Sequence, residues 1–309
     1  YKNSADVGIL GVGEAGVVVL NRTPFYAEAG GQVGDSGTIT SGDNLFKVSD
    51  VQKKLGNLFL HYGKMVKGSL NINESVELKI NLDQRNNVRA YHSATHLLHE
   101  SLRRTLGTHV MQKGSLVAPD RLRFDFSHMK PISSEELNKI DNIVNEVVNK
   151  KSEVVTRIMT PKEGIEHGAL ALFGEKYGDE VRVVFMGEEG NKYFSTELCG
   201  GTHVRNTEDV GKFKIISQTA IASGVRRVEA LRDKQLEDFL KNKEKQLDIT
   251  AQKDDDTIND LIKEIKKLGE EPISNLEDKK QLIKDLSKQL DQLSVNSILS
   301  DKTKNIIKD

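Results

Sequence analysis

The sequence predicts an α+β protein in three parts: a small antiparallel β-barrel-like subdomain over residues 1–85, a metal-binding α+β domain over residues 86–231, and a helical, coiled-coil-like arm over residues 232–309. Three observations predict this. Short β-branched runs separated by Gly, Asn, Asp and Ser fill the first part. A histidine-bearing segment with helical spacing opens the second. Beyond residue 231 glycine nearly disappears, while Leu and Ile recur at helical spacing among Lys, Asp, Glu and Gln.

The elements follow in chain order. Val17 to Leu20, Thr38 to Thr40, Leu45 to Val51, Leu58 to Tyr62 and Val76 to Ile80 read as strands, their even spacing that of a small barrel or sandwich. Between them, Ala27 to Gly37 holds Gly30, Gly31, Gly34 and Gly37, a loop whose backbone can approach a ligand closely. It lacks the GK[ST] ending of a phosphate loop. Gly11 to Gly16 precedes a strand rather than a helix, so it reads as a hairpin turn and not a dinucleotide fingerprint.

Gln84 to Leu106 is expected to be a helix burying Ala90, Ala94, Leu97, Leu98, Ser101 and Leu102, and Gly107 stops it. Val110 to Leu116 and Leu122 to Phe126 form a hairpin about Ala118-Pro119-Asp120. Ser133-Ser134-Glu135-Glu136 is an N-terminal capping pattern for a helix reaching about Lys150. Glu153 to Met159 reads as a strand, Pro161 as the start of a short helix, and Val181 to Phe185, Tyr193 to Thr196, Phe213 to Ser217 and Val225 to Leu231 as further strands. In the arm, Leu236, Leu240 and Leu247 mark one helical segment. Ile258 to Leu268 mark a second, capped by Asp256 or Thr257 and ended by Gly269 and Pro272, and Ile283 to Leu293 a third.

The chemistry concentrates in two motifs. His92 and His96 stand one turn apart on one face of the predicted helix, a spacing at which two imidazoles converge on one metal ion. A histidine pair alone is commonplace. Cys199, the only cysteine, is followed by Gly200-Gly201 and His203, and the glycines place sulfur and imidazole on a turn that can aim both inward. Two His and a Cys/His pair are the donor set Zn²⁺ prefers, so one Zn²⁺ per chain is expected on His92, His96, Cys199 and His203. His99 reads as a flanking residue.

A single cysteine excludes an intramolecular disulfide framework and fits a reducing compartment, so the protein is placed in the cytoplasm. No apolar run is long enough for a membrane span. A net charge of -1 means that a nucleic-acid partner must be held by local basic patches, and 5% aromatic content without Trp argues against a surface that stacks single-stranded bases.

TPFYAEAGGQVGDSG (Thr23 to Gly37), HSATHLL (His92 to Leu98), QKGSLV (Gln112 to Val117), RLRFDF (Arg121 to Phe126), ELCGGTHV (Glu197 to Val204) and GVRRVEA (Gly224 to Ala230), in this order, resemble the editing domain of alanyl-tRNA synthetases. Free-standing AlaX-type deacylases and, more distantly, the threonyl-tRNA synthetase editing domain share the pattern. The resemblance covers most of residues 1–230 and departs at no ligand position. It implies hydrolysis of the ester in tRNA(Ala) mischarged with serine or glycine, and an oligomerising arm that could form a homodimer. The ATP-dependent attachment of alanine belongs to an aminoacylation domain, of which no segment is recognised here.

Such an ester is already activated, and needs a positioned water and oxyanion support. Thr95 and Gln112 are expected to hydrogen-bond the amino acid or the attacking water, as similar positions in the family imply, and Gly200 and Gly201 to offer backbone N–H groups. Four protein ligands close a zinc site, which favours a metal that organises the pocket over one that acts on the ester. Thr23, Arg121 and Arg123 are candidates for tRNA contacts, as are Arg103, Arg104 and one of Arg226 and Arg227. The abrupt start at Tyr1 and the helical end point to a piece of something longer. The rival readings are a complete AlaX-type deacylase and a zinc-dependent tRNA-binding module without catalysis.

Overall fold

The computed structural model describes residues 7–170, 178–274 and 278–306, with side chains to residue 296. The chain divides into two compact units, residues 1–236 and 237–309.

The first unit begins with seven strands: β1 (Ile9–Gly11), β2 (Ala15–Val19), β3 (Gly37–Ser41), β4 (Asn44–Lys54), β5 (Leu58–Lys67), β6 (Ser69–Asn71) and β7 (Glu77–Ile80). Five make an antiparallel sheet in the order β2-β5-β4-β3-β7, and β1 pairs with β6 as a separate ribbon. Ile39, Phe46, Val48, Val51 and Met65 form the core beneath them. Among the described residues β2 and β7 do not pair, so the expected barrel is an open sheet with a ribbon. Gly11 to Gly16 is a turn but not a hairpin. The chain crosses from the ribbon into the sheet there, and Gly13 N and Glu14 O bond to Met65 of β5.

α1 (Leu82–Leu106) starts at the Asn81 cap and ends at Gly107, whose φ of 118° suits a residue without Cβ. Every side chain from Ala90 to His99 is buried. A strip of apolar residues was expected, and the helix is instead enclosed on all sides. The hairpin β8 (Gln112–Val117) and β9 (Leu122–Ser127) follows, then α2 (Ser134–Asn149) behind its Ser133/Glu136 capping box, β10 (Val155–Met159) and α3 (Pro161–Glu166). β11 (Val181–Glu189), β12 (Lys192–Leu198), a short 3-10 turn at Thr207–Val210, β13 (Phe213–Ala222) and β14 (Val225–Arg232) complete the unit.

Two more antiparallel sheets result, β13-β14-β9-β8 and β10-β11-β12. Leu122, Phe124 and Phe126, alternating along β9, share one core with Tyr91, Leu97, Leu98 and Leu102 of α1 and Ile140 and Val144 of α2. The mixed α+β class with antiparallel sheets is as the sequence predicts.

One ion pair ties the Gly-rich loop to α1. Arg85 Nε donates to Asp35 Oδ1 at 2.8 Å, Nη2 reaches Asp35 Oδ2, and Tyr26 N donates to the same carboxylate at 2.6 Å. Both charged side chains are buried.

In the arm, α4 (Asp233–Lys267) is continuous where two helices were expected, and α5 (Lys279–Ile306) is the third segment. Asp256 and Thr257 are therefore not caps, and the Thr257 hydroxyl donates to Lys253 O within the helix. Within the second unit, Ile265 and Leu286 are fully buried and Lys279 pairs with Asp255 at 2.6 Å. No side chain of residues 237–253 is buried, so Leu240 and Leu247 face solvent. Among the described residues no helix is long and apolar enough to cross a membrane.

Replacing Arg85 by Ala strands a buried carboxylate, and urea unfolding is expected to show a loss of about 3–5 kcal/mol.

Candidate functional site

α1 carries His92 and His96 with their rings stacked, centroids 5.1 Å apart. β12 ends at Leu198, and the turn after it brings the His203 ring to 4.4 Å from His92 and 4.9 Å from His96. The four donor atoms of His92, His96, Cys199 and His203 all lie within 4.8 Å of one another. Cys199 Sγ is 3.4 Å from His92 Nε2 and 3.3 Å from His203 Nε2. Those separations approach the roughly 3.5 Å edge implied by tetrahedral zinc with ~2.3 Å Zn–S and ~2.0–2.1 Å Zn–N bonds.

The donors also have the right lone pairs. His92 Nδ1–H donates to Gln32 Oε1 at 2.7 Å, His96 Nδ1–H to Glu197 Oε2 at 2.7 Å, and His203 Nδ1–H to Ser93 Oγ at 3.3 Å. Each imidazole is thus held with Nε2 left as the ligand atom, the outer-shell arrangement of metal-bound histidines. His96 Nε2 is buried and has no partner among the described residues, as a ligand without its ion would be. The residues fit a divalent metal of the zinc type.

Gln32, on the Gly-rich loop, is fully buried. Its Oε1 also accepts from Thr202 N, and its Nε2 donates to Thr202 Oγ1, both at 2.9 Å. One amide therefore clamps the histidine helix to the Cys/His turn. Gly201 sits against the His92 ring, and a Cβ there would collide with the imidazole and crowd Gln32 Oε1 at 2.9 Å.

Neighbouring charges and burial shift the ionisation of the cluster. Burial opposes the Cys199 thiolate, yet the charges of His92 and His96 and the bonds to His203 and His92 hold its pKa well below the ordinary thiol value. Burial, then the charge of His92, pushes His203 down to about 3. Burial works against a charge on His96, but Glu197 and Cys199 outweigh it and raise its pKa to about 10. Glu197 is held far below the carboxylate range, its burial outweighed by His96 and His99.

His92, His96 and Cys199 line a cleft of about 660 Å³, together with Thr95, Gln112, Gly200 and Gly201. Those expected site residues are brought together. The Thr95 hydroxyl donates to Tyr91 O at 2.8 Å, so its oxygen remains only as an acceptor. Thr23 does not reach this cleft: its Oγ1 bonds to His61 Nε2 at 2.8 Å, and it lines a separate cavity. Arg121 precedes β9 and pairs with Asp120, while Arg123, on the strand, lies 3.9 Å from Asp125. Neither lines the cleft. Arg227 is held by Asp125, Arg104 by Glu100 and Glu189, and Arg103 bonds Thr108 O and Val110 O.

Three residues of the site escape the sequence reading. Gln32 and Glu197 orient the ligands from distant segments, with no local spacing to signal them. His99 is no mere flank: it lines the cleft, its Nδ1 is 3.3 Å from Glu197 Oε1, and its Nε2 is buried without a partner among the described residues.

Comparison with known proteins agrees with this architecture. The family described as tRNA synthetases class II (A) matches residues 2–84, and the threonyl and alanyl tRNA synthetase second additional domain matches residues 181–229. The first match falls on the β region, in which the sequence offered no recognisable segment of an aminoacylation domain. The fold and the site are thus those of a class II tRNA-synthetase-related chain with this additional domain. Alanine–tRNA ligase of Chelativorans sp. (strain BNC1) is 51% identical over 87% of this chain and 31% of its own length. That of Parvibaculum lavamentivorans is 56% identical over 71% and 25%, and that of Mesorhizobium japonicum 46% over 95% and 33%. The chain belongs to the alanyl-tRNA synthetase family, and it spans a quarter to a third of the length of these curated relatives.

Gln32→Ala is expected to weaken zinc binding by about 10–100-fold in a chelator competition, because His92 loses its orienting partner. With His96 titrating at about 10, the metal-free site carries a proton there at neutrality. Zinc uptake at about pH 7 should then release about one proton per ion, and apparent affinity should rise with pH until His96 deprotonates. Calorimetry in buffers of different ionisation enthalpy measures that proton count.

Proposed function

We propose that the cleft hydrolyses the aminoacyl ester of tRNA(Ala) mischarged with serine or glycine. What carries this reading is that three of the four clustered donors, His92, His96 and Cys199, share one cleft with Thr95, Gln112, Gly200 and Gly201, in a chain of this family. In the reaction water adds at the acyl carbon, the C–O bond to the ribose breaks, and the released ribose oxygen takes a proton. Free amino acid and tRNA result.

His92, His96, Cys199 and His203 would hold one Zn²⁺. When bound, it would tie α1 to the Cys/His turn and add a fixed positive charge beside the cleft. The protein's own groups position the rest. Gly200 N–H has no protein acceptor among the described residues, and is free to donate to the ester carbonyl as charge develops there. Thr95 Oγ1 can accept from the substrate ammonium, and the Gln112 amide can orient water or the amino acid. His99 and Ser115 line the same cleft, His99 Nε2 and Ser115 Oγ have no partners among the described residues, and a seryl hydroxyl is the kind of group that satisfies such atoms. A site that bonds a substrate hydroxyl rejects the analogue lacking it far better than an apolar pocket rejects an extra methylene. Serine is thereby separated from alanine.

On this reading the ATP-dependent ligation named for the relatives belongs to the part of their length outside this chain. The helices of residues 237–309 serve self-association, and the protein works in the cytoplasm.

In single-turnover assays the zinc-loaded chain is expected to clear Ser-tRNA(Ala) and spare Ala-tRNA(Ala), with Cys199→Ala slower by on the order of 10²-fold or more. Serine retained as long as in buffer alone would refute the hydrolase reading. Salt-sensitive tRNA binding without turnover would favour a binding module.

A further inference from the structure

The chain as a whole carries no net positive charge, so an RNA partner must be held by a local basic patch. Several arginines that could serve are already neutralised. Arg227 holds Asp125 through two bonds of 2.7 and 2.8 Å, Arg121 pairs with Asp120, and Arg104 with Glu100 and Glu189. Arg226 is different. Its guanidinium has no hydrogen bond or ion pair among the described residues, and neither has the exposed ammonium of Lys130.

Both cations act on a pair of histidines at one end of the β13-β14-β9-β8 sheet. His109 follows α1, His128 follows β9, and His109 Nε2 lies 2.9 Å from His128 Nδ1. Three segments are laced together there. Ser127 Oγ donates to His109 O at 2.7 Å and accepts from Met111 N at 2.9 Å. His128 N donates to Gly224 O at 3.0 Å, on the turn that leads into β14 and Arg226. Arg103 Nη1 donates to the carbonyls of Thr108 and Val110, on either side of His109. The outer ring nitrogens, His109 Nδ1 and His128 Nε2, have no partner among the described residues. In the neutral pair, whichever ring supplies the shared proton, one outer nitrogen carries an N–H that can donate.

The electrostatics select an anion. Burial, then the charge of His109, hold His128 below the ordinary imidazole pKa; Arg226 and Lys130 act in the same direction, and Glu136 opposes them. Glu136 is itself engaged, its Oε2 accepting from Ser133 N at 2.8 Å. A field that repels a proton from His128 also repels a metal ion, and it attracts a phosphate. The position suits one. Gln112 lines the cleft and lies opposite Phe126, and the His128 ring, two residues further along, is 6.4 Å from that of Phe126. At about 3.3 Å per strand residue, the histidine pair sits roughly 7 Å beyond the cleft wall.

We propose that Arg226, Lys130 and the His109–His128 pair form a landing surface for the phosphate backbone of the RNA whose 3′ end enters the cleft. This rests on the reading of the cleft as the place of an aminoacyl-RNA ester. The surface lies outside the cleft and holds backbone phosphates, which position the RNA without reading its sequence.

The test measures binding of unacylated tRNA(Ala) to the full, zinc-loaded chain over a salt series. The double variant Arg226→Gln/Lys130→Gln is expected to bind about tenfold or more weakly at about 0.1 M salt, and the slope of log affinity against log salt to fall by about two. Arg226→Lys, which keeps the charge, should retain most of the affinity. Lys79→Gln removes an exposed cation of β7 and should behave as the native chain. In a second arm, NMR titration of the His128 ring should show its pKa rising when tRNA is added, and no such rise in the double variant. Native affinity and slope in the double variant, equal weakening by Lys79→Gln, an unmoved His128 titration, or no tRNA binding by the native chain would overturn the surface. If binding depends on Arg226 and Lys130 while the native chain leaves Ser-tRNA(Ala) intact, the surface stands and the hydrolase reading falls.

Discussion

Four ligand atoms gathered within 4.8 Å of one another are a costly arrangement unless something satisfies them. Most of the first unit is arranged around that constraint. α1 is enclosed along ten consecutive residues to hold two of the donors, and the turn after β12 carries the other two. Partners fix each imidazole from behind, and two of the three come from outside α1. Gln32 belongs to the loop before the β3–β4 hairpin, and Glu197 to the strand that delivers Cys199. The site is therefore not an attachment to the α+β domain, because without the β region His92 would lack its acceptor.

That dependence also explains the glycines. Gly31 lies against the backbone of Ser115 on β8, where a Cβ would come within 2.9 Å of its carbonyl carbon, and Gly201 lies against the His92 ring. Both positions let one chain segment press on another so that Gln32 can reach between them. The Arg85–Asp35 pair anchors the other end of the same loop. Loop, helix and turn form one mechanical unit, although they come from three distant stretches of sequence.

Much of this was legible beforehand, for a physical reason. His92 and His96 announce themselves because helical spacing converts sequence into direction, and Cys199 and His203 because two glycines mark a turn. Strand positions were legible from β-branched runs. The ribbon strands β1 and β6 were not, being three residues each and paired across sixty positions. His99 was under-read because reading a helix by its stripe assumes one wet face, and α1 has none between Ala90 and His99. Gln32 and Glu197 act through tertiary contacts that no local period encodes. In the arm, the acidic run before Thr257 imitates a helix start, but no tertiary break interrupts the helix there, and it runs through.

Glu197 has a consequence of another kind. It and the Cys199 thiolate give the site two negative charges, and the histidines, once bound as ligands, contribute none. A divalent ion on the four donors would offset those two charges. A monovalent ion would leave one negative charge stranded in low dielectric, and a trivalent one a positive charge, each at considerable cost. The shell behind the ligands would thus suit a divalent ion, through a carboxylate that never needs to touch the metal.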